Sequence, residues 1–170
     1  MTIILGIDPG SRITGYGLIE VRGKTTSYLD SGCIRTQGKE LGPRLLEIFN
    51  GICELMDAFK PQEVAIEQVF VHQNPNSALT LGHARGAAMV AAASHRVGVS
   101  EYTPRAVKQA VVGYGAAGKD QVQHMVMQIL QLSRAPQADA ADALAIAICH
   151  SHTRRSILAM RSPSQTGAHT

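Results

Sequence analysis

Acidic residues stand where their neighbours are apolar in this chain, and that mismatch constrains the fold more than any other feature. Ile3-Ile4-Leu5-Gly6-Ile7 is a short run rich in β-branched residues, closed by Asp8-Pro9-Gly10-Ser11. A run of that length bounded by turn residues predicts a buried strand. Asp8 at its end must be paired, hydrogen-bonded or bound to a cation, because an isolated buried charge is too costly. No basic residue lies within the run to pair with it. Glu67 repeats the anomaly near the end of a second run, otherwise apolar from Val64 to Val69. Asp139 and Asp142 repeat it again, among Ala138, Ala140, Ala141, Ala143 and Leu144. Their i, i+3 spacing on an expected helix puts them on one face.

The pattern between these acids says how they meet. Ile13 to Arg22 reads as a second strand, Gly23-Lys24 as a hairpin turn and Thr25 to Ile34 as a third strand, an antiparallel meander. Leu41, Leu45, Ile48, Ile52, Leu55, Met56 and Phe59 recur at helical spacing, so 41–59 is an amphipathic helix stopped by Pro61. Strand, helix and strand imply a parallel crossover that lays 63–69 beside the first strand. Asp8 and Glu67 then leave the sheet at one edge. Phe70 to Asn76 reads as a loop, and Ser77 as the cap of an Ala-rich helix to about Arg96. Gly98 to Tyr102 is a short fifth strand, and Thr103-Pro104 opens a helix to about Val112. A Gly-rich loop, 113–118, precedes a helix marked by Val122, Met125, Val126, Ile129 and Leu130. The last helix is expected from Pro136 to about His152. One folded domain is expected over 1–155, with a disordered polar tail over 156–170.

Composition narrows the function classes. The net charge of +3 permits a polyanionic partner without demanding one. If several acids are sequestered in one site, the remaining surface is more basic than the total suggests. Cys33, Cys53 and Cys149 are far apart and odd in number, which fits buried free thiols in a reducing cytoplasm. No basic segment followed by a long apolar stretch opens the chain, and no apolar run approaches membrane-spanning length, so a cytoplasmic protein with no membrane partner is expected.

Each acid alone has an ordinary reading: Asp8 as a turn cap, Glu67 as half exposed on an edge strand, Asp139 as a helix N-cap, Asp142 as a first-turn acid favoured by the helix dipole. Their coincidence argues against all of these together. Four carboxylates in one apolar-walled site repel one another unless a cation neutralises them. Oxygen-only ligands suit Mg²⁺, with Mn²⁺ as a substitute. Two such ions, roughly 3.5–4 Å apart, can activate water and stabilise a leaving oxygen in phosphodiester hydrolysis.

The stretches Gly6-Ile7-Asp8-Pro9-Gly10-Ser11, Ala65-Ile66-Glu67-Gln68-Val69-Phe70 and Gln137-Ala138-Asp139-Ala140-Ala141-Asp142-Ala143-Leu144-Ala145 closely resemble the motifs of the RuvC Holliday junction resolvases. Ser31 to Thr36 and the runs around Lys108 and His124 look like that family too, and the resemblance covers nearly everything from Thr2 to His152. It implies an α/β, RNase H-like fold: a five-stranded mixed sheet, three strands antiparallel and then parallel ones, with helices on both faces. It implies a homodimer that resolves four-way DNA junctions in recombination and repair by paired symmetric nicks. It also implies 5′ phosphate and 3′ hydroxyl ends as products, and the branch-migration proteins RuvA and RuvB as partners. Carried over by motif, Asp8, Glu67, Asp139 and Asp142 are the catalytic, metal-binding acids. The resemblance also implies that Phe70 is the aromatic inserted at the junction point and that Lys108 and Lys119 contact phosphate and support catalysis; with Arg85 and Arg105 they would offset the acidic site and hold the DNA backbone. Taken singly, Phe70 reads as a core aromatic and each lysine as a solvated surface charge.

Two other classes compete. A strand-end Asp followed by Gly also occurs in phosphotransferases of the actin–hexokinase kind, but those close two related domains on ATP, and this chain holds one copy of the motif. A catalytically silent junction-binding module predicts a broken acid set, whereas all four carboxylates are present. The spacing G-x-x-x-x-G-K at Gly113 to Lys119 is followed by Asp120 rather than Ser or Thr, with no strand before it, which excludes a phosphate-cradling P-loop.

Overall fold

The computed structural model describes residues 1–69 and 75–161. The first strand decides where everything else goes. β1 (Thr2–Asp8) is central: β2 (Ile13–Arg22) pairs with it antiparallel on one side, and β4 (Glu63–Glu67) pairs with it parallel on the other. β3 (Thr25–Arg35) continues the meander beyond β2, and β5 (Val99–Tyr102) runs parallel beyond β4. The order β3-β2-β1-β4-β5 is the mixed five-stranded sheet expected.

Alternation along the strands gives the sheet two apolar faces. Leu5, Ile7, Leu18, Val64 and Ile66 point to one side, where α1 (Leu41–Phe59) and α2 (Pro75–Ser94) cover them with Ile48, Ile52, Met56, Ala84 and Ala88. Ile4, Ile19, Val21 and Ala65 point to the other. There α3 (Pro104–Val112), α4 (Lys119–Leu130) and α5 (Ala138–Arg161) close the second layer. Thr103 caps α3 as expected, its Oγ1 accepting from the Ala106 amide at 3.1 Å, with Pro104 in the first turn. The three cysteines are free; Cys149 is buried as expected, whereas Cys33 and Cys53 are only half-buried.

α5 lies unusually close to the sheet. A Cβ built at Gly15 would stand 2.0 Å from the Asp139 carbonyl oxygen, and one at Gly6 would stand 2.1 Å from that of Ala143. Only glycine lets the helix backbone approach so closely. Every residue from Ala143 to Ser151 is buried, so this stretch is a core helix, apolar almost all round. The small residues at the start of α5 and the glycines of β1 and β2 are two halves of one contact, which places Asp139 and Asp142 over the sheet edge.

Several boundaries differ from expectation, most of them by one or two residues. β4 ends at Glu67 rather than Val69. α2 includes Pro75, within the loop expected over 70–76, rather than starting at Ser77; proline is tolerated in a first turn, where its missing N–H has no helical partner. α5 runs to Arg161, past the domain boundary expected at 155, because Arg154 and Arg155 anchor it. Arg154 donates to Glu63 Oε1 at 2.7 Å and to Thr2 Oγ1 at 3.1 Å, and Arg155 donates to Thr26 Oγ1 at 2.8 Å. The remainder of the expected tail, 162–170, lies outside the described residues. No described helix is long and apolar enough to cross a membrane.

Candidate active site

Register brings the first two acids together. Ile7 stands opposite Ile66 across the β1–β4 pair, so Asp8 and Glu67 each follow at the next position. Ile7 and Ile66 belong to the α1–α2 layer. By alternation Asp8 and Glu67 point to the α5 side, and the sheet ends there. One turn into α5, Asp142 comes over the same edge. Asp8, Glu67 and Asp142 line a single cavity of about 270 Å³, together with Pro104, Val107, Lys108, Lys119, Val122 and Ala145. Asp139 is not part of that lining. It sits half-buried beside it, near enough for its charge to act on Asp8 and Asp142.

The electrostatics follow from burial among like charges. Desolvation, then the charges of Glu67, Asp142 and Asp139, pushes the Asp8 carboxyl up to about 8, with Lys119 opposing. Glu67 is raised to about 6 by burial and by Asp142, against Lys108 and Lys119. Asp142 is raised by burial and by Asp139, against the same two lysines. Two lysines cannot ionise the whole cluster, so the site is short of positive charge. Lys119 Nζ stands 3.8 Å from Asp142 Oδ2, and its side chain is 83% exposed. So loose and wet an ion pair contributes little to stability and leaves the ammonium accessible.

Among the described residues no three His, Cys, Asp or Glu side chains close into a cage for one ion. The donor set still fits a hard divalent cation. Mg²⁺ is usually held by one or two carboxylates, with water and phosphate oxygens completing its octahedron, rather than by an all-protein cage. Asp8 is central to such a set, because Glu67, Asp142 and Asp139 all act on it.

The expected DNA-contact residues divide. Lys108 and Lys119 line the cavity. Arg105 is exposed on α3 outside the lining, and its stem packs against Gly115 of the Gly-rich loop. Arg85 has another occupation: Nη2 pairs with Glu101 Oε2 at 2.6 Å, and Nε donates to the Glu67 carbonyl at 3.3 Å. It ties α2 to the ends of β4 and β5, and only 20% of its side chain is exposed. Phe70 lies outside the described residues. His124 is exposed on α4 and does not line the cavity.

Sequence reasoning passed over the groups that hold the turn after Asp8. Thr14 Oγ1 donates to the Gly10 carbonyl at 2.9 Å, and Thr36 Oγ1 donates to the Ser11 carbonyl at 3.0 Å. Arg44, buried at 7% exposure, donates to the same Ser11 carbonyl from Nε at 3.2 Å and from Nη2. A signal for Arg44 existed. It heads the i, i+4 row Arg44, Ile48, Ile52, Met56, which is the buried stripe of α1.

Fold and site together define an RNase H-like α/β protein with a carboxylate centre at the carboxyl edge of its sheet. Residues 4–150 match the family model described as Crossover junction endodeoxyribonuclease RuvC, and the chain belongs to that family. It is 70% identical over 158 residues to the crossover junction endodeoxyribonuclease RuvC of Legionella pneumophila strain Lens, covering 92% of this chain and 91% of that one. It is 60% identical over 160 residues to the same-named protein of Tolumonas auensis, covering 94% and 92%. Among solved structures, Thermus thermophilus RuvC in complex with a Holliday junction substrate superposes with a TM-score of 0.86 at 36% identity, over 92% of this chain and 96% of that one.

Proposed function

We propose that this chain is a metal-dependent endodeoxyribonuclease that resolves four-way DNA junctions, in the cytoplasm, during recombination and repair. The observation that carries this reading is the cavity itself: Asp8, Glu67 and Asp142 face Lys108 and Lys119 at the sheet edge, acids without enough cations beside cations open to a phosphate. Membership of the RuvC family makes junction DNA the substrate to test first.

In this reading Asp8, Glu67 and Asp142 hold Mg²⁺, two ions per site, with Asp139 at the rim assisting through Asp8 and Asp142. Bound there, the metal supplies charge neutralisation, Lewis-acid polarisation of the phosphate and a low-pKa water. Lys119 and Lys108 hold the non-bridging oxygens of the scissile phosphate and fix it over Asp8. The buried walls, Val107, Val122 and Ala145, limit water to what the reaction uses. Water attacks phosphorus, the bond to the 3′ oxygen breaks, and a 5′ phosphate and a 3′ hydroxyl result. Arg105 and Phe70 extend the DNA contact beyond the cavity.

A junction has approximate two-fold symmetry, so paired nicks need two sites related by a two-fold axis, which a homodimer supplies. α2 is the candidate dimer face: its inner side is Ala84, Ala88, Ala91 and Ala92, while Leu79 and Val90 are exposed on it. RuvA and RuvB are the proposed partners.

The test is a nicking assay on a synthetic four-way junction, with Mg²⁺ or with chelator, against linear duplex of the same sequence. Paired nicks in the junction only, only with metal, are expected. Metal-independent cutting, or equal cutting of linear duplex, would overturn the reading.

A further inference from the structure

Arg44 is a buried cation with an unusual set of partners. Its guanidinium is spent on a single backbone oxygen, the Ser11 carbonyl, with Thr36 Oγ1 at 3.4 Å as a further contact. No carboxylate pairs with it among the described ion pairs. Burying a guanidinium without an acid is costly, so the site must gain something by holding that carbonyl.

Ser11 lies three residues beyond Asp8 in the turn that joins β1 to β2. Asp8 itself is still in register, opposite Gly15, so the turn hangs from the acid. It is closed from within by Thr14, whose hydroxyl donates to the Gly10 carbonyl at 2.9 Å and accepts from the Gly10 amide at 3.3 Å. A Cβ at Gly10 would stand 1.9 Å from the Ile13 carbonyl oxygen, so the loop has no slack at that point. It is held from outside by Thr36, whose amide donates to the Arg12 carbonyl at 3.0 Å and whose hydroxyl donates to the Ser11 carbonyl at 3.0 Å, and by Arg44 on the same oxygen. Arg44 comes from the first turn of α1, on the opposite face of the sheet from α5. The charges that act on Asp8 are those of Glu67, Asp142, Asp139 and Lys119. Arg44 therefore works through the backbone rather than as a counter-ion to the cluster.

We infer that Arg44, with Thr36, is a positioning residue for the nuclease: it clamps the Ser11 carbonyl and so fixes the turn that sets Asp8 and leaves room above it for the scissile phosphate. The inference rests on the nuclease reading above. A displaced reacting group slows chemistry far more than it weakens binding, and a shift of about 1 Å can cost roughly 10²-fold. Loss of the clamp should therefore appear in the cleavage step.

The experiment compares wild type, Arg44→Gln, Arg44→Lys and Thr36→Val on a synthetic four-way junction in Mg²⁺. Single-turnover cleavage, junction affinity and melting temperature are all measured. Arg44→Gln should cut roughly 10- to 100-fold more slowly, with affinity within about twofold of wild type. Arg44→Lys should recover part of the rate, because its ammonium still donates. Thr36→Val, which removes the second donor and keeps the charge, should slow cleavage by a smaller factor and covers the case that Arg44→Gln does not fold. Folded Arg44→Gln or Thr36→Val cutting within about twofold of wild type would overturn the assignment, as would parallel loss of affinity and rate. A wild-type protein that leaves junctions intact would overturn the nuclease reading and this assignment with it, and only that result touches the former.

Discussion

β4 carries two glutamates on one face, four residues apart, and they meet opposite fates. Glu63 begins the strand. His150 Nε2 stands 2.7 Å from its Oε2 and Arg154 Nε 2.7 Å from its Oε1, so both carboxylate oxygens are engaged. His150 is held in turn by the Tyr102 hydroxyl at 2.8 Å. Glu67 ends the strand; its carboxylate lines a cavity with those of Asp8 and Asp142, where Lys108 and Lys119 are too few to balance the three acids. One helix serves both. α5 presents Asp142 at the Glu67 end and His150 at the Glu63 end; eight helical residues and four strand residues each cover roughly 12–13 Å. The same strand–helix contact thus makes a satisfied network at one edge and an unsatisfied cluster at the other. A half-buried acid with both oxygens held by neighbouring side chains supports the fold, whereas buried acids facing one another cost stability and persist where they do chemistry.

That contrast can be broken by swapping neutral isosteres into each end. The larger effect of this pair belongs to Glu67→Gln: cleavage should fall by about 4 kcal/mol of transition-state stabilisation, roughly 10³-fold, while the metal-free protein melts higher because a repulsive charge is gone. Single-turnover cleavage and calorimetry read the two together. Glu63→Gln should do the reverse, lowering stability by about 1–2 kcal/mol at neutral pH with cleavage unchanged in the folded fraction, the modest figure reflecting a pair that is partly exposed. Denaturant titration measures it.

The pH dependence carries its own sign. Asp8 moves from an ordinary 3.8 to about 8 and Glu67 from 4.5 to about 6, so the folded state keeps protons that the unfolded chain releases. As pH rises from the unfolded values through 6 and then 8, the metal-free fold loses stability at this edge, and below both unfolded values the two groups contribute no difference. A divalent cation removes the penalty by binding the ionised forms. The rise in melting temperature on adding Mg²⁺ should therefore be larger at about pH 8.5 than at about pH 5.5. Equal shifts at both would mean the carboxylates are not the ligands.

Smaller still is Lys119→Ala, which should weaken junction binding and reduce the slope of log affinity against log salt by about one. Arg85→Met should leave that slope unchanged, because Arg85 is already spent on Glu101 and the Glu67 carbonyl, and should instead lower the melting temperature slightly.

The meander, the β1–β4 pairing and the carboxylate centre were legible because each rests on local signals, whereas no local signal placed β5 beyond β4. Turn residues closed the strands, the α1 stripe had helical period, and each acid contradicted its apolar neighbours. What could not be read depended on distant partners or on weak periodicity. Arg85 looks like any solvated arginine until Glu101, on another strand, is beside it. The length of α5 depends on Arg154 reaching Glu63 and Thr2, 91 and 152 residues away. The start of α2 was misplaced because Ala and Gly lie all round the helix, so its buried row Ala84, Ala88, Ala91 and Ala92 does not stand out in the sequence. Arg44 was overlooked because an arginine in a helix's first turn reads as surface, and only its place in line with Ile48, Ile52 and Met56 marks it as buried. Asp139 and Asp142 could not be told apart by spacing alone; the cavity includes only Asp142.

The most direct test of the account sets Asp8→Asn beside Glu63→Gln in one single-turnover assay, four-way junction in Mg²⁺, with binding followed in parallel. Asp8→Asn should bind the junction and produce no nicks, and folded Glu63→Gln should nick at the wild-type rate. Wild-type cleavage by Asp8→Asn, or loss of cleavage by folded Glu63→Gln, would contradict the division of the molecule into a working edge and a structural one.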